Sequence, residues 1–117
     1  MKMEDKKSKF SLVVTIVNRG YSDEVMDAAR DAGARGGTIM YAHGSGLKEA
    51  ETFFGISIRP EKELVLVLAS AETKAQIMRA IVERVGMNTE GAGITFALPV
   101  TDVAGIANIT KNEANKE

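Results

Sequence analysis

Cysteine is absent from all 117 residues. Its absence removes disulfide scaffolds, zinc–thiolate sites and cysteine nucleophiles from consideration. Histidine is nearly as scarce. His43 is the only one, so a multi-histidine metal site would need several chains. Charge of one sign is not in excess either. Fifteen Lys and Arg stand against sixteen Asp and Glu, a net charge of −1. Such a chain has no bulk attraction to nucleic acid, and no nucleic-acid partner is expected. No apolar run approaches the roughly 20 residues of a membrane span. The opening MKMEDKKSK has no apolar stretch of signal type. A cytoplasmic location without direct membrane insertion is the expectation.

What is present is ordinary for one folded domain: 44% hydrophobic and 26% charged residues. Residues 1–8 are expected to be a flexible polar tail, 9–108 the folded domain and 109–117 a second flexible polar tail.

Phe10–Val17 is β-branched and apolar, which predicts a buried strand. Asn18-Arg19-Gly20 interrupts it. Ser22 is the predicted N-cap of a helix with Asp23 and Glu24 in its first turn, where the helix dipole favours negative charge. Val25, Met26, Ala29 and Ala32 share one helical face, and Gly33 is placed to end the helix. Thr38–Ala42 predicts a second strand and Leu64–Ala69 a central third. Ser70 is expected to open a second helix. Met78, Ile81, Val82 and Val85 carry its helical spacing, and Gly86 ends it. Ile94–Leu98 predicts a fourth strand closed by Pro99, with Val103–Ile106 as a candidate edge strand.

The order β-α-β-β-α-β predicts an α+β, ferredoxin-like sandwich: a four-stranded antiparallel sheet with both helices on one face. The strands at 12–17 and 64–69 are apolar on both sides. One sheet face would then lie in water in a single copy, so an oligomer is expected to cover it.

Four glycine-marked segments carry a resemblance. They are Gly36-Gly37-Thr38-Ile39, Gly44-Ser45-Gly46, the strand after Pro60-Glu61-Lys62-Glu63, and Gly91-Ala92-Gly93. Together with the element order, they make the chain resemble the PII nitrogen-regulatory family, in its divergent PII-like branch. The resemblance implies a non-enzymatic homotrimer that binds a small effector, an adenine nucleotide such as ATP, ADP or AMP, in clefts between subunits. It also implies a loop after the second strand that docks on a regulated partner: a transporter, an enzyme or a regulator.

By position, the resemblance implies ligand contacts from Thr38 on the adenine side, from Gly44, Gly46 and Lys48 at the loop base, and from Gly91 and Gly93 on the phosphate side. The loop Ser45–Gly55 would carry the partner contacts, with Ser45, Glu51, Phe53 and Phe54 as candidates. Phe53-Phe54 could instead fold back on the sheet or a neighbouring subunit. Several of the family's phosphate cations are replaced, by Ile94, Gly105, Ala107 and Leu47. Lys48 is then expected to be the only cation near the loop base. The loop contains no tyrosine to accept a uridylyl group.

Each glycine segment has a plainer reading as well. Gly44–Lys48 could be a hairpin base, Glu90–Gly93 a tight turn using positive φ, and Gly36–Thr38 an ordinary helix-to-strand connection. Two further classes share the predicted topology. One is an acylphosphatase-like enzyme using Arg19, which Asp23 and Glu24 oppose by repelling an anion. The other is a structural or metal-binding trimer of the CutA type; separately, three copies of His43 could meet in a trimer and bind metal. No catalytic residue and no metal ligand is assigned.

Overall fold

The computed structural model describes residues 9–45, 51–53, 56–58 and 60–105. The elements run β1 (Phe10–Asn18), α1 (Ser22–Asp31), β2 (Thr38–His43), β3 (Glu51–Phe53), β4 (Ile56–Ile58), β5 (Glu61–Ser70), α2 (Lys74–Val85) and β6 (Ile94–Val100). The main sheet has the order β2-β5-β1-β6 and is antiparallel throughout. The predicted βαββαβ sandwich is therefore observed. Two short strands add to it. β3 and β4 pair with each other, Glu51 opposite Ile58 and Phe53 opposite Ile56; β3 falls inside the expected loop Ser45–Gly55 and β4 directly after it.

Strand alternation divides the residues between two faces. Val13 and Val17 of β1 and Val65, Val67 and Ala69 of β5 face the helices. They pack against Val25, Met26, Ala28 and Ala29 of α1 and Ile77, Ile81 and Val85 of α2. Thr15 on the same side is also buried, and its hydroxyl shares a 3.0 Å hydrogen bond with that of Thr95. The opposite face carries Leu12, Val14, Ile16, Leu64, Leu66 and Leu68, flanked by Met40, Ile94, Phe96 and Leu98. In one copy these four flanking side chains are 44%, 52%, 40% and 49% exposed.

The elements differ from expectation in four places. Ser22 is not the N-cap. It is the first helical residue, it is buried, and its backbone N–H donates to Glu63 Oε1 at 3.0 Å. Ser70 closes β5 instead of opening α2. Its hydroxyl accepts the Thr73 N–H at 3.2 Å, and the helix starts at Lys74. The buried face of α2 is Ile77, Ile81 and Val85, while Val82 points outward. Val103 and Ala104 are not in a strand, and Ile106 lies outside the described residues.

Gly33 does follow α1, where the Ala34 N–H donates to Ala29 O and the Gly33 N–H to Arg30 O, satisfying the last carbonyls. Gly86 likewise follows α2. Among the described residues, no helix is long and apolar enough to cross a membrane. The expected tails, 1–8 and 109–117, lie outside the described residues.

Candidate functional site

β2 is an edge strand, and the open face of the sheet continues along it. Thr38, Met40 and Ala42 are register partners of Leu66, Leu64 and Lys62 on that face. Gly44 follows with the same alternation. Thr38 and Gly44 are six residues apart, about 20 Å of extended chain. An effector touching both would lie along the strand edge.

Gly44 has little room. Its N–H donates to Pro60 O at 2.7 Å. A Cβ there would come within 3.2 Å of Lys62 Cε and 3.4 Å of Pro60 Cγ. The glycine thus lets the Lys62 stem cross the backbone at the start of the segment after β2. Lys62 Nζ then donates to Asn18 Oδ1 at 2.7 Å. Lys48 is therefore not the only cation at the loop base. Lys62 was hidden from the sequence because its direction depends on the pairing register.

Gly91 and Gly93 stand at the other edge of the same sheet end, before β6. The positive φ of this turn falls on Ala92, at 46°, and on neither glycine. The glycines serve close packing. The Gly93 N–H donates to Val85 O at 2.7 Å, and a Cβ on Gly93 would fall onto that same carbonyl oxygen. A Cβ on Gly91 would meet Val85 Cβ at 3.1 Å and the Tyr21 ring at 3.3 Å. Ile94, at the start of β6, is exposed on the open face.

Asn18 joins the two edges. Its N–H donates to Gly91 O at 2.9 Å and its Nδ2 to Glu90 O at 3.0 Å, while Oδ1 holds Lys62. Tyr21 adds a bond from its hydroxyl to Glu90 Oε2 at 2.8 Å. That bond to a carboxylate, reinforced by slight burial and by the charge of Glu90, raises the Tyr21 pKa above the ordinary phenol value.

At the same sheet end lies an open cleft of about 570 Å³, lined from the helix side by Arg19, Gly20, Tyr41, His43, Glu61 and Glu63 and from the open face by Ala42 and Lys62. Arg19 is ion-paired with Glu61. Burial pushes the Glu63 carboxyl up. Hydrogen bonds from Ser22 and from the backbone of Gly20 and Ser22, with the charge of Arg19, outweigh it and leave the pKa lowered. Both carboxylates and the arginine are thus already engaged. An acylphosphatase-like grip on phosphate would need Arg19 to leave Glu61 and an anion to approach a helix end that Glu63 occupies. His43 is exposed, opposite Glu61 in the register.

The remaining candidates are placed as follows. Ser45 is exposed. Glu51 and Phe53 belong to β3. Gly46, Lys48 and Phe54 lie outside the described residues.

The sequence model of "Nitrogen regulatory protein P-II" matches residues 10–108. Among solved structures, the chain is similar to the crystal structure of Arabidopsis thaliana PII bound to citrate. The TM-score is 0.62 with 25% sequence identity, over 86% of this chain and 82% of that one. No curated protein sequence matches the chain.

Proposed function

We propose, for a chain that belongs to the nitrogen regulatory protein P-II family, a cycle in which a bound effector sets the conformation of the segment after β2. The effector is a small anionic molecule, an adenine nucleotide by preference, bound in clefts between copies of a cytoplasmic homotrimer. The segment reports to a protein partner, and the protein turns over no substrate.

One observation carries this reading. The apolar open face ends, at one end of the sheet, in two glycine segments on opposite edges. Copies packed through their open faces would bring the β2 edge of one beside the β6 edge of the next. Each cleft would then combine Thr38 and Gly44 from one copy with Gly91 and Gly93 from another. The citrate bound to Arabidopsis PII supports a small anionic ligand in a similar fold. A ligand that contacts the loop base in only one loop conformation stabilises that conformation by its differential affinity. Gly46 and Lys48 would belong to the loop base, and Ser45, Glu51, Phe53 and Phe54 to the partner surface.

Light scattering tests the assembly, with a mass near three times 12.6 kDa expected. Calorimetric titration with ATP, ADP and AMP tests the ligand. A stable monomer would overturn the inter-subunit site. Steady hydrolysis of ATP or an acyl phosphate, lost in Arg19→Ala, would replace the regulatory reading with an enzymatic one.

A further inference from the structure

The polar end of the open face contains a cation, Lys62, that no carboxylate among the described residues pairs with. Asn18, Lys62 and Ala42 are register partners across β1, β5 and β2. They continue the rows that begin with Ile16, Leu64 and Met40. The neighbours of Lys62 in sequence, Glu61 and Glu63, point to the other side, where Arg19 and the start of α1 engage them. Among the described residues, no carboxylate pairs with Lys62. Its partner is the neutral amide oxygen of Asn18, which takes one of its three donors.

The placement is also fixed. The Lys62 stem lies over Gly44, and Asn18 is itself anchored to the Glu90-Gly91 backbone by two further bonds. The ammonium therefore stands at a set position between the two glycine edges. Covering the open face would strip water from it, and a desolvated ammonium is costly unless an anion meets it.

We propose that Lys62 is the anion-binding residue of the loop-base site, and that Asn18 is its positioning residue. The ligand chemistry is a small polyanion, offered as the phosphates of a nucleotide or the carboxylates of a tricarboxylate. The inference rests on the small-molecule site proposed above. It supplies the countercharge that Ile94, Gly105 and Leu47 do not.

The test uses the full chain, in wild-type, Lys62→Met, Lys62→Arg and Asn18→Ala forms, titrated with ATP, AMP and citrate. Light scattering on each form reads the assembly. One charge-assisted hydrogen bond is worth about tenfold or more in affinity. Lys62→Met is expected to weaken the polyanion that binds by that factor, and AMP by less. Lys62→Arg should keep most of the affinity. Asn18→Ala should weaken binding several-fold with the same dependence on ligand charge, which a loss of general stability would not produce. Wild-type binding left unchanged by Lys62→Met overturns this inference and leaves the small-molecule site standing. A change of assembled mass in Lys62→Met overturns it in favour of a carboxylate from a neighbouring copy. Binding of none of the three by the wild type overturns the site and the inference together.

Discussion

Glu63 caps helix α1 from a strand 41 residues further along the chain, its Oε1 accepting the backbone N–H of Ser22 at 3.0 Å. The first turn of a helix has unsatisfied N–H groups and partial positive charge, so a buried carboxylate there is stabilised. The folded-state pKa of Glu63 lies below its ordinary value. A depressed carboxyl stabilises the fold above the unfolded pKa, about 4.3, and loses that contribution as pH falls through the folded value. Glu63→Gln should lower the thermal midpoint at pH 7. The gap from wild type should narrow as pH drops below about 4.3. Thermal melts across pH 3–7 measure it, and a gap independent of pH would contradict the capping role.

That contact shows where sequence reasoning stopped. The four strands of the main sheet and both helices are legible because β-branched runs and helical spacing are local signals, whereas β3 and β4 carry no such run. Ser22 looked like a cap because serine usually is one, but the real capping group becomes visible only once β5 is paired beside the helix start. Val82 fits the helical spacing as well as Ile77 does. Only the packing angle of α2 against the sheet separates them. The glycines stand out in the sequence, whereas their physical reason at Gly91 and Gly93, contact with Val85, does not. Lys62 stayed hidden because strand alternation, once the register is known, sends it away from both neighbouring glutamates.

Gly93 and Gly36 make a matched pair for testing close approach. A Cβ on Gly93 would collide with the Val85 carbonyl, whereas one on Gly36 meets nothing within 4 Å. Gly93→Ala should cost about 1–3 kcal/mol, the usual penalty of overpacking. Gly36→Ala should stay within about 0.5 kcal/mol of wild type. Urea denaturation of both variants decides it, and equal stabilities would remove the packing role of Gly93.

The open face predicts its own disruption. Phe96 sits on it, partly exposed, opposite Val14 in the register. A lysine there would be solvated in a single copy and desolvated in an assembly. Phe96→Lys should therefore keep its circular dichroism spectrum while its mass in solution falls toward that of one chain. Retention of the assembled mass would show that another surface holds the copies together.

Tyr21 offers an optical check on the Asn18–Glu90 corner. Its hydroxyl bonds to Glu90, which favours the neutral phenol and raises its pKa. The bond stabilises the fold below the ordinary phenol value, about 10, and that contribution is lost as pH rises through the folded value. The phenolate absorbance of Tyr21 should appear at higher pH than that of a free phenol. Glu90→Gln should move it down. With two tyrosines in the chain, a Tyr41→Phe background isolates the signal.

A strand that is apolar on both sides does not declare which side is up. Leu64–Ala69 could satisfy the helices with its leucines almost as well as with its valines, and sliding β5 by one residue would exchange the two sets. The three charged residues ahead of it remove the ambiguity. In the native alignment Glu63 meets the start of α1, Lys62 meets Asn18 and Glu61 meets Arg19. In the slipped alignment a lysine would be driven against the positive end of the helix, and the carboxylate would be stranded on the other face. The polar start of β5 thus acts as a key for threading the strand, excluding an inverted sheet that hydrophobicity alone would tolerate.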